Sequence, residues 1–556
     1  MKVSVLHKIL GLFVLLSTVA VSLIVAPFAS LDPVNLPKLF LLVIVGFIAA
    51  GLTFTNFEFF KAKNNRPALL IIALFVIQLL LVFSVDNRIF PQKFYGNYGR
   101  NTGTLAYLCL SFLFLASLIS ASKELLKKYV SAITASGVVL SLYGLAQSKG
   151  HDFYQFDNAY GTNVFGTFGN PNFHSAFMGI TASTAFTIVL FSRIKLPYKV
   201  GLFFLVSLAM YNVSLSSQQG YLNFSAGVAS VILLILFKRR KYILSGIVFV
   251  GIGIGSLVVI LGIFNSGPLG DLINKSSLTA RGFYWRAAVK MMLEHPFFGV
   301  GMDGFGDAYL RSRTLEIAQS NLSISSDSAH NIALDIGSNG GFPLFFAYMA
   351  IIVLVLVSVV RVVKRESELD VFFIAIFSAW IAYEAQSVIS INQLGLGVWG
   401  WSLSGLIIGY ELNTRQKNIV IRNKFDTPEK VSVQKFSKLS AFLVIILGGA
   451  GFAIATPPYL AAGKFYRALQ SGDANIIQPA AYLKPYDRAR FLFVIQILQE
   501  NKLEGRAIRV LMDASKIYPD SYEIWRRWSN IPSASAGAIA RAKAEMKRLD
   551  PYNPNL

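Results

Sequence analysis

The sequence predicts an all-α, polytopic transmembrane helix bundle, and three observations point to it. First, 54% of the 556 residues are apolar and only 14% are charged, more apolar surface than a single soluble core can bury. Second, apolar runs of roughly 15–23 residues, about the length that crosses a bilayer, recur along most of the chain. Third, lysines and arginines cluster in alternate connections between those runs, which is the charge pattern of cytoplasmic loops.

Taken in order, the runs fall at 9–26, 39–54, 67–85, 104–120, 130–146, 173–191, 201–215, 221–237, 243–264, 342–360, 371–391, 394–408 and 439–455, about thirteen spans. The first has basic residues before it and small ones after it, as a cleaved leader would. Its apolar stretch is longer than a leader needs, and Pro27 spoils a small-residue cleavage pattern, so it reads as a span. Lys2 and Lys8, Lys61 to Arg66, Lys123 to Lys128, Arg193 to Lys199, Lys238 to Lys241, Arg361 to Arg365 and the basic stretch from Arg415 to Lys438 fall on one side. Those connections are expected to be cytoplasmic, with the N-terminus inside and the C-terminus outside.

The net charge of +22 lies largely in these juxtamembrane loops, so it has a topological cause and no nucleic-acid partner is expected. The single cysteine, Cys109, sits within a span and excludes an intrachain disulfide. On the other side the connections are longer and richer in Gly, Asn, His and aromatic residues: 86–103, 147–172, 265–341 and everything after Thr456. Whatever chemistry the chain performs is expected to face outward.

The expected domains are a membrane portion over 1–461, with a large outer loop at 265–341, and a helical extracytoplasmic portion over 462–556. In the latter, helix-breaking turns recur at Pro485, Pro519 and Pro551. That period of about 32–34 residues fits tetratricopeptide-like helix pairs, and also an unrelated helical tail.

The outer loop carries the residues that attract chemistry. Arg281 and Trp285 lie one turn apart on a helical stretch, so the indole suits the headgroup layer and the guanidinium a lipid-borne anion. Arg281 alone equally fits an interfacial arginine on lipid phosphate. His330 precedes an apolar helix expected to continue into the span at 342. The positive end of that helix disfavours imidazolium and leaves the ring neutral, as a base must be. Asp327, three residues earlier, is placed either to orient the imidazole or to cap the turn.

Taken as a set, Arg281-x-x-x-Trp285, His295-Pro-Phe-Phe-Gly-Val-Gly301 and His330-Asn331-x-x-Leu334 followed by Asn339-Gly340-Gly341 resemble the signature region of the bacterial O-antigen ligase and polymerase family. Gly166 to Asn172, containing Asn170, and Gly96-x-x-x-Arg100-x-x-Gly103 are also similar to that family. The resemblance implies a membrane glycosyltransferase that takes a glycan from a polyprenyl-diphosphate carrier on the outer face of the cytoplasmic membrane. It passes the glycan to a hydroxyl on a lipid, a polysaccharide or a protein. By similarity, Arg281 would hold the diphosphate and His330 would activate the acceptor or assist the leaving group, with Gln219, Trp285, Asn170 and Asn331 in substrate contact; Gly166 to Asn172 equally fits a turn and helix cap.

One departure matters. Where many members carry Ser-Arg-Gly, this chain reads Ser216-Ser217-Gln218-Gln219-Gly220, and the neutral amide of Gln219 supplies no fixed charge. Arg100, in an outward Gly-rich loop, is expected to replace it. A departing diphosphate needs a metal or preplaced cations. The outer loops show no Asp-x-Asp pair, so a metal-free mechanism with no cofactor is expected. A transporter or flippase of lipid-linked sugars, and an assembly protein presenting the C-terminal helices, remain the alternatives. Under any of these readings the C-terminal helices are where a protein partner is expected.

Overall fold

The computed structural model describes residues 5–27, 30–152, 161, 163–264, 276–320, 325–422 and 438–556, all within one chain. Among them the secondary structure is helical. The membrane portion begins with α1 (Val5–Leu23), α2 (Asn35–Phe54), a short α3 (Phe57–Lys61), α4 (Arg66–Val85) and a short α5 (Phe90–Tyr95). It continues through α6 (Thr104–Ser120), α7 (Lys123–Ser148), α8 (Pro171–Phe191), α9 (Leu196–Ser216), α10 (Gln219–Lys238) and α11 (Tyr242–Ile263). The segment expected to form the outer loop, the outer segment for short, contributes α12 (Ser276–Glu294), α13 (Phe305–Ser312) and α14 (Leu315–Ser320). It is followed by α15 (Ile332–Arg365), α16 (Val371–Ile389), α17 (Leu394–Arg422) and α18 (Lys438–Gln470). Residues 265–275 and 321–324 of the expected outer loop lie outside the described residues.

Each apolar run coincides with one of these helices. Among the described residues, eleven helices are long and apolar enough to cross a membrane, and α6 is apolar but shorter. Both α6 and the apolar half of α17 are buried at the centre. Every residue from Leu394 to Leu412 is buried. Gly405 and Gly409, four apart on α17, let its backbone approach α6: a Cβ there would lie 2.3 Å from the Phe114 carbonyl oxygen and 2.1 Å from that of Leu118. Small residues at this spacing are how membrane helices pack without a hydrophobic driving force. α11 is the opposite case, exposed nearly throughout, with Ile243 83% and Phe249 66% accessible. A helix apolar on all sides suits a lipid environment.

α15 departs from the expected continuous helix. Gly341 adopts φ 76°, ψ 178° and breaks it into an outer piece up to Gly340 and a spanning piece from Phe342. The break has a physical reason: it frees carbonyls for the 295–301 turn. Val300 and Gly301 donate to the Ser338 and Asn339 carbonyls at 2.9 and 3.0 Å, and Phe342 donates to that of Pro296 at 2.8 Å.

The C-terminal portion comprises α19 (Ala474–Ala480), α20 (Arg488–Glu500), α21 (Glu504–Ile517), α22 (Tyr522–Ser529) and α23 (Ala536–Leu549). Consecutive helices from α19 to α23 pack around a core that includes Phe491, Val494, Val510, Leu511, Ile524 and Trp525. The expected boundary at 461/462 falls inside a helix. α18 runs unbroken through it to Gln470, and Phe465 and Ala468 already belong to the C-terminal core. One helix thus spans both portions and carries its direction from the first into the second.

Candidate active site

The polar segments assigned to one side meet at one end of the bundle. The turn after α5 is pinned first. Gly96 has φ 90°, and a Cβ there would lie 2.5 Å from Asp303 Oδ2, a position only glycine fits. The Asn97 N–H donates to Asp303 Oδ2 at 2.6 Å, and Asn97 Nδ2 to the Asp303 carbonyl at 2.6 Å. From the first turn of α2, Asn35 Nδ2 donates to the Gly99 carbonyl at 2.9 Å. Held this way, Arg100 reaches Asp327, 227 residues away: its Nε and Nη2 donate to the two carboxylate oxygens at 2.7 and 2.6 Å. This is a bidentate, charge-assisted pair.

The two glycine-rich motifs of the outer segment serve each other. Gly299 and Gly301 lie against Ser338 to Gly340, and from α4 the Gln78 Nε2 donates to the Phe297 carbonyl at 2.5 Å and to that of Gly340 at 3.2 Å. The contact holds the C-terminus of α12 on the outer piece of α15. That places Arg281 and Tyr284 of α12 beside His330, just ahead of α15.

His330 has φ 52°, a left-handed conformation in which histidine is several-fold over-represented among non-glycine residues. Its neighbours fix the turn. The His330 N–H donates to Ser328 Oγ at 3.1 Å, the Ala329 N–H to Asp335 Oδ1 at 3.0 Å, and the Asn331 side chain accepts the Leu334 N–H at 3.0 Å. The Tyr284 ring lies over the imidazole, 5.3 Å between centroids at 30°, and Tyr309 meets Tyr284 edge-on at 5.6 Å.

Charge completes the site. Burial, then the positive charges of Arg281 and Arg100, hold the His330 imidazole down to about 4, with Asp327 acting the other way. The ring is therefore neutral at physiological pH, chiefly through burial and two guanidinium groups. Burial acts against the charge on Arg100, yet the Asp327 carboxylate raises it above the ordinary range. Asp327 is likewise penalised by burial, but Arg100 holds it below the usual carboxylate range. Burial lowers Arg281, opposed by Tyr284. Arg281 Nε donates to the Ile389 carbonyl at the end of α16, at 2.8 Å.

The structure therefore brings Arg100, Arg281 and His330 into one electrostatic cluster. The other singled-out residues sit as follows. Asn331 is the N-cap of α15, and Asn170 is the N-cap of α8, accepting the Asn172 N–H at 2.8 Å. Trp285 packs edge-on against Phe264 at 6.0 Å. Gln219 is buried at the first turn of α10, and its Nε2 has no hydrogen-bond partner among the described residues. Sequence reasoning missed Tyr284 and Asp335 as shapers of the histidine turn, and of the two roles it offered Asp327, orienting the imidazole or capping the turn, neither included the pair the carboxylate makes with Arg100. The sequence carried a signal only for Tyr284, which is three residues from Arg281 and so on the same helix face.

A family model described as O-Antigen ligase matches residues 202–349. That interval contains Gln219, Arg281, Trp285, His330 and Asn331, whereas Arg100 and Asn170 lie before it. No curated protein matches the chain.

Proposed function

Because the chain belongs to the O-antigen ligase family through residues 202–349, we propose that this multi-pass membrane glycosyltransferase moves a glycan from a polyprenyl-diphosphate carrier to an acceptor hydroxyl on the outer face of the cytoplasmic membrane. One observation carries this reading: His330 lies against Tyr284, on the helix that bears Arg281, and three residues after Asp327, the carboxylate that holds Arg100. Arg281 grips the diphosphate. Arg100 joins it through the three of its five N–H donors that lie outside the Asp327 pair. Gln219, buried at the start of α10, adds a polar contact to the donor. Trp285 meets the lipid side of the donor, and Asn170 and Asn331 hold the backbone of the surrounding turns.

In the reaction, the acceptor oxygen forms a bond to the anomeric carbon while the bond from that carbon to the phosphate oxygen breaks. The acceptor proton passes to His330. Negative charge grows on the departing diphosphate, and preplaced guanidinium groups stabilise it more in the transition state than in the bound donor. The acceptor is a lipid, polysaccharide or protein hydroxyl. The C-terminal helices are the place where a protein partner or acceptor carrier would dock.

The test is single-turnover transfer by the full chain in liposomes, with carrier-linked glycan and a labelled acceptor. His330→Ala is expected to slow transfer about 10²–10⁴-fold, the usual contribution of a general base, with donor binding retained. Arg281→Ala is expected to weaken both. Unaltered transfer by His330→Ala would remove the histidine from the mechanism. In cells, loss of a ligase leaves full-length chains on the carrier, and loss of a polymerase leaves single repeat units.

A further inference from the structure

The turn that carries Arg100 is held from two sides, and one of them is the C-terminal portion. Asn97 is its hub. The Asn97 carbonyl accepts the N–H of Arg100 at 3.1 Å and that of Asn101 at 2.9 Å, so the place of Asn97 sets where the Arg100 side chain begins. On one side the Asn97 main-chain N–H and side-chain Nδ2 both donate to Asp303. On the other, Asn97 Oδ1 accepts from Arg488 Nη2 at 3.1 Å, and Arg488 Nη1 donates to Asp307 Oδ1. Arg488 opens α20, a helix start fixed by Asp487, whose carboxylate accepts the Ala489 N–H at 2.8 Å. One planar fork from the C-terminal portion thus bridges two oxygens, one on α13 and one on the turn of Arg100.

We propose that Arg488 is a positioning residue for the transfer reaction: by holding Asn97 it holds the turn that sets Arg100 beside the diphosphate, which gives the C-terminal helices a part in building the site. The proposal rests on the glycosyltransferase reading above and names the residue through which the last helices serve it. Its physical basis is the pair of oxygens under the fork. Gln92 Nε2 lies 2.5 Å from Asp307 Oδ2 and 3.4 Å from Asn97 Oδ1. Without the guanidinium, a carboxylate and an amide oxygen would be left to share that one neutral group, and the Asn97 side chain would lose its charged partner. Fastening alone does not account for the contact. Arg313 and Asp550 are the better buried fastening of the C-terminal helices, with side chains 0% and 2% exposed against 23% and 10% for Arg488 and Asp307. What sets Arg488 apart is that it touches the turn. From there the path to the base is short, because Arg100 donates twice to Asp327, three residues before His330.

The test titrates the His330 imidazole by NMR in full-length protein labelled at histidine carbon, the signal being assigned with His330→Gln, and follows transfer of carrier-linked glycan by the same samples in liposomes. The imidazole faces Arg281 and Tyr284 from α12, Arg100 from the turn and Asp327 from its own segment. Arg100 lowers it and Asp327 raises it. An Arg100 that is no longer held lowers it less and leaves Asp327 unpaired, so Arg488→Met is expected to move the titration upward by about half a pH unit or more. Transfer is expected to fall about ten-fold or more, the usual cost of a lost bond to a charged group. Arg488→Lys keeps the charge beside Asp307 but not the fork, and a smaller upward shift is expected; should Arg488→Met fail to fold, this variant decides. Arg313→Ala loosens the C-terminal helices without touching the turn, so the titration should stay at the parent value. An imidazole unmoved by the Arg488 variants, or moved as far by Arg313→Ala, overturns the proposal. A titration that shifts as expected in a parent protein that transfers no glycan would sink the glycosyltransferase reading and leave the link from Arg488 to Arg100 standing.

Discussion

A histidine held at about 4 is neutral but weakly basic, and general-base catalysis works best with a pKa near the working pH. The donor resolves this tension. Burial comes first among the causes of the low value, but the next two are Arg281 and Arg100. A diphosphate bound between those cations offsets their field and raises the imidazole toward its ordinary value. The sign follows: because the folded, unliganded pKa is depressed, the base form persists down to about pH 4, and kcat/KM should show no His330 limb between pH 5 and 8. The acid limb of kcat, which reports the donor complex, is expected at higher pH than that of kcat/KM. Coincident limbs near pH 4 in both profiles would show that bound donor leaves the histidine unmoved. Arg100→Gln is expected to depress transfer strongly, and Gln219→Arg to restore part of it by presenting a second planar fork to the diphosphate. Full activity of Arg100→Gln would mean that Arg281 works with a different partner.

At the scale of elements, the break in α15 does what a straight helix does not. With Gly341 at φ 76° and ψ 178°, the carbonyls of Ser338 and Asn339 turn from their own helix to the 295–301 turn, and α12 is docked with its Arg281 face toward His330. A Cβ at 341 would lie 2.5 Å from the Phe297 carbonyl carbon and 2.7 Å from the Pro296 oxygen, in a conformation that costs a non-glycine residue about 1–3 kcal/mol. Gly341→Ala is therefore expected to lower the thermal midpoint in detergent and to reduce transfer, while donor binding falls less than turnover. A midpoint equal to that of the parent protein would mean the turn relaxes without cost. The helices themselves were legible because their apolar length is a local property. The break was not, because Asn339-Gly340-Gly341 reads as flexible glycine within an apolar run until the 295–301 turn is packed on it.

Across the whole molecule, the C-terminal helices are fastened to the outer segment by ion pairs of unequal weight. Arg313, immediately after α13, donates twice from Nη2 to the Asp550 carboxylate at 2.9 and 2.7 Å, with side chains 0% and 2% exposed. Arg488 pairs with Asp307 on α13, and Gln92 donates to that carboxylate at 2.5 Å. Removing one partner of a buried pair leaves an uncompensated charge and costs about 3–5 kcal/mol, whereas replacing both with apolar residues is often neutral. Arg313→Ala is thus expected to raise protease sensitivity of the C-terminal helices, and Arg313→Met with Asp550→Leu to restore protection. Equal sensitivity of the single and double variants would show that this pair does not fasten the domain. Arg311 and Asp520, 3.8 Å apart and substantially exposed, should contribute little.

Hydropathy and charge are written along the chain, so the helical class, the apolar runs and the division into polar segments on two sides could be read before any packing was known. Arg281, His330 and Arg100 could be singled out for the same reason, each lying in a short motif of glycine, aromatic and polar residues. Which groups meet is a different matter. The pairing of Arg100 with Asp327 joins positions 227 apart, and a cavity between the turn after α5 and the C-terminal helices is walled by residues near 100 and near 490. No periodicity within a segment encodes such distances. They are set by how α6 and α17 pack at the centre, by the break at Gly341, and by the direction in which α18 carries the chain into its last helices. The pKa of His330 belongs to the same class, because burial and two cations from distant segments determine it, and these exist only after the tertiary structure has brought them together.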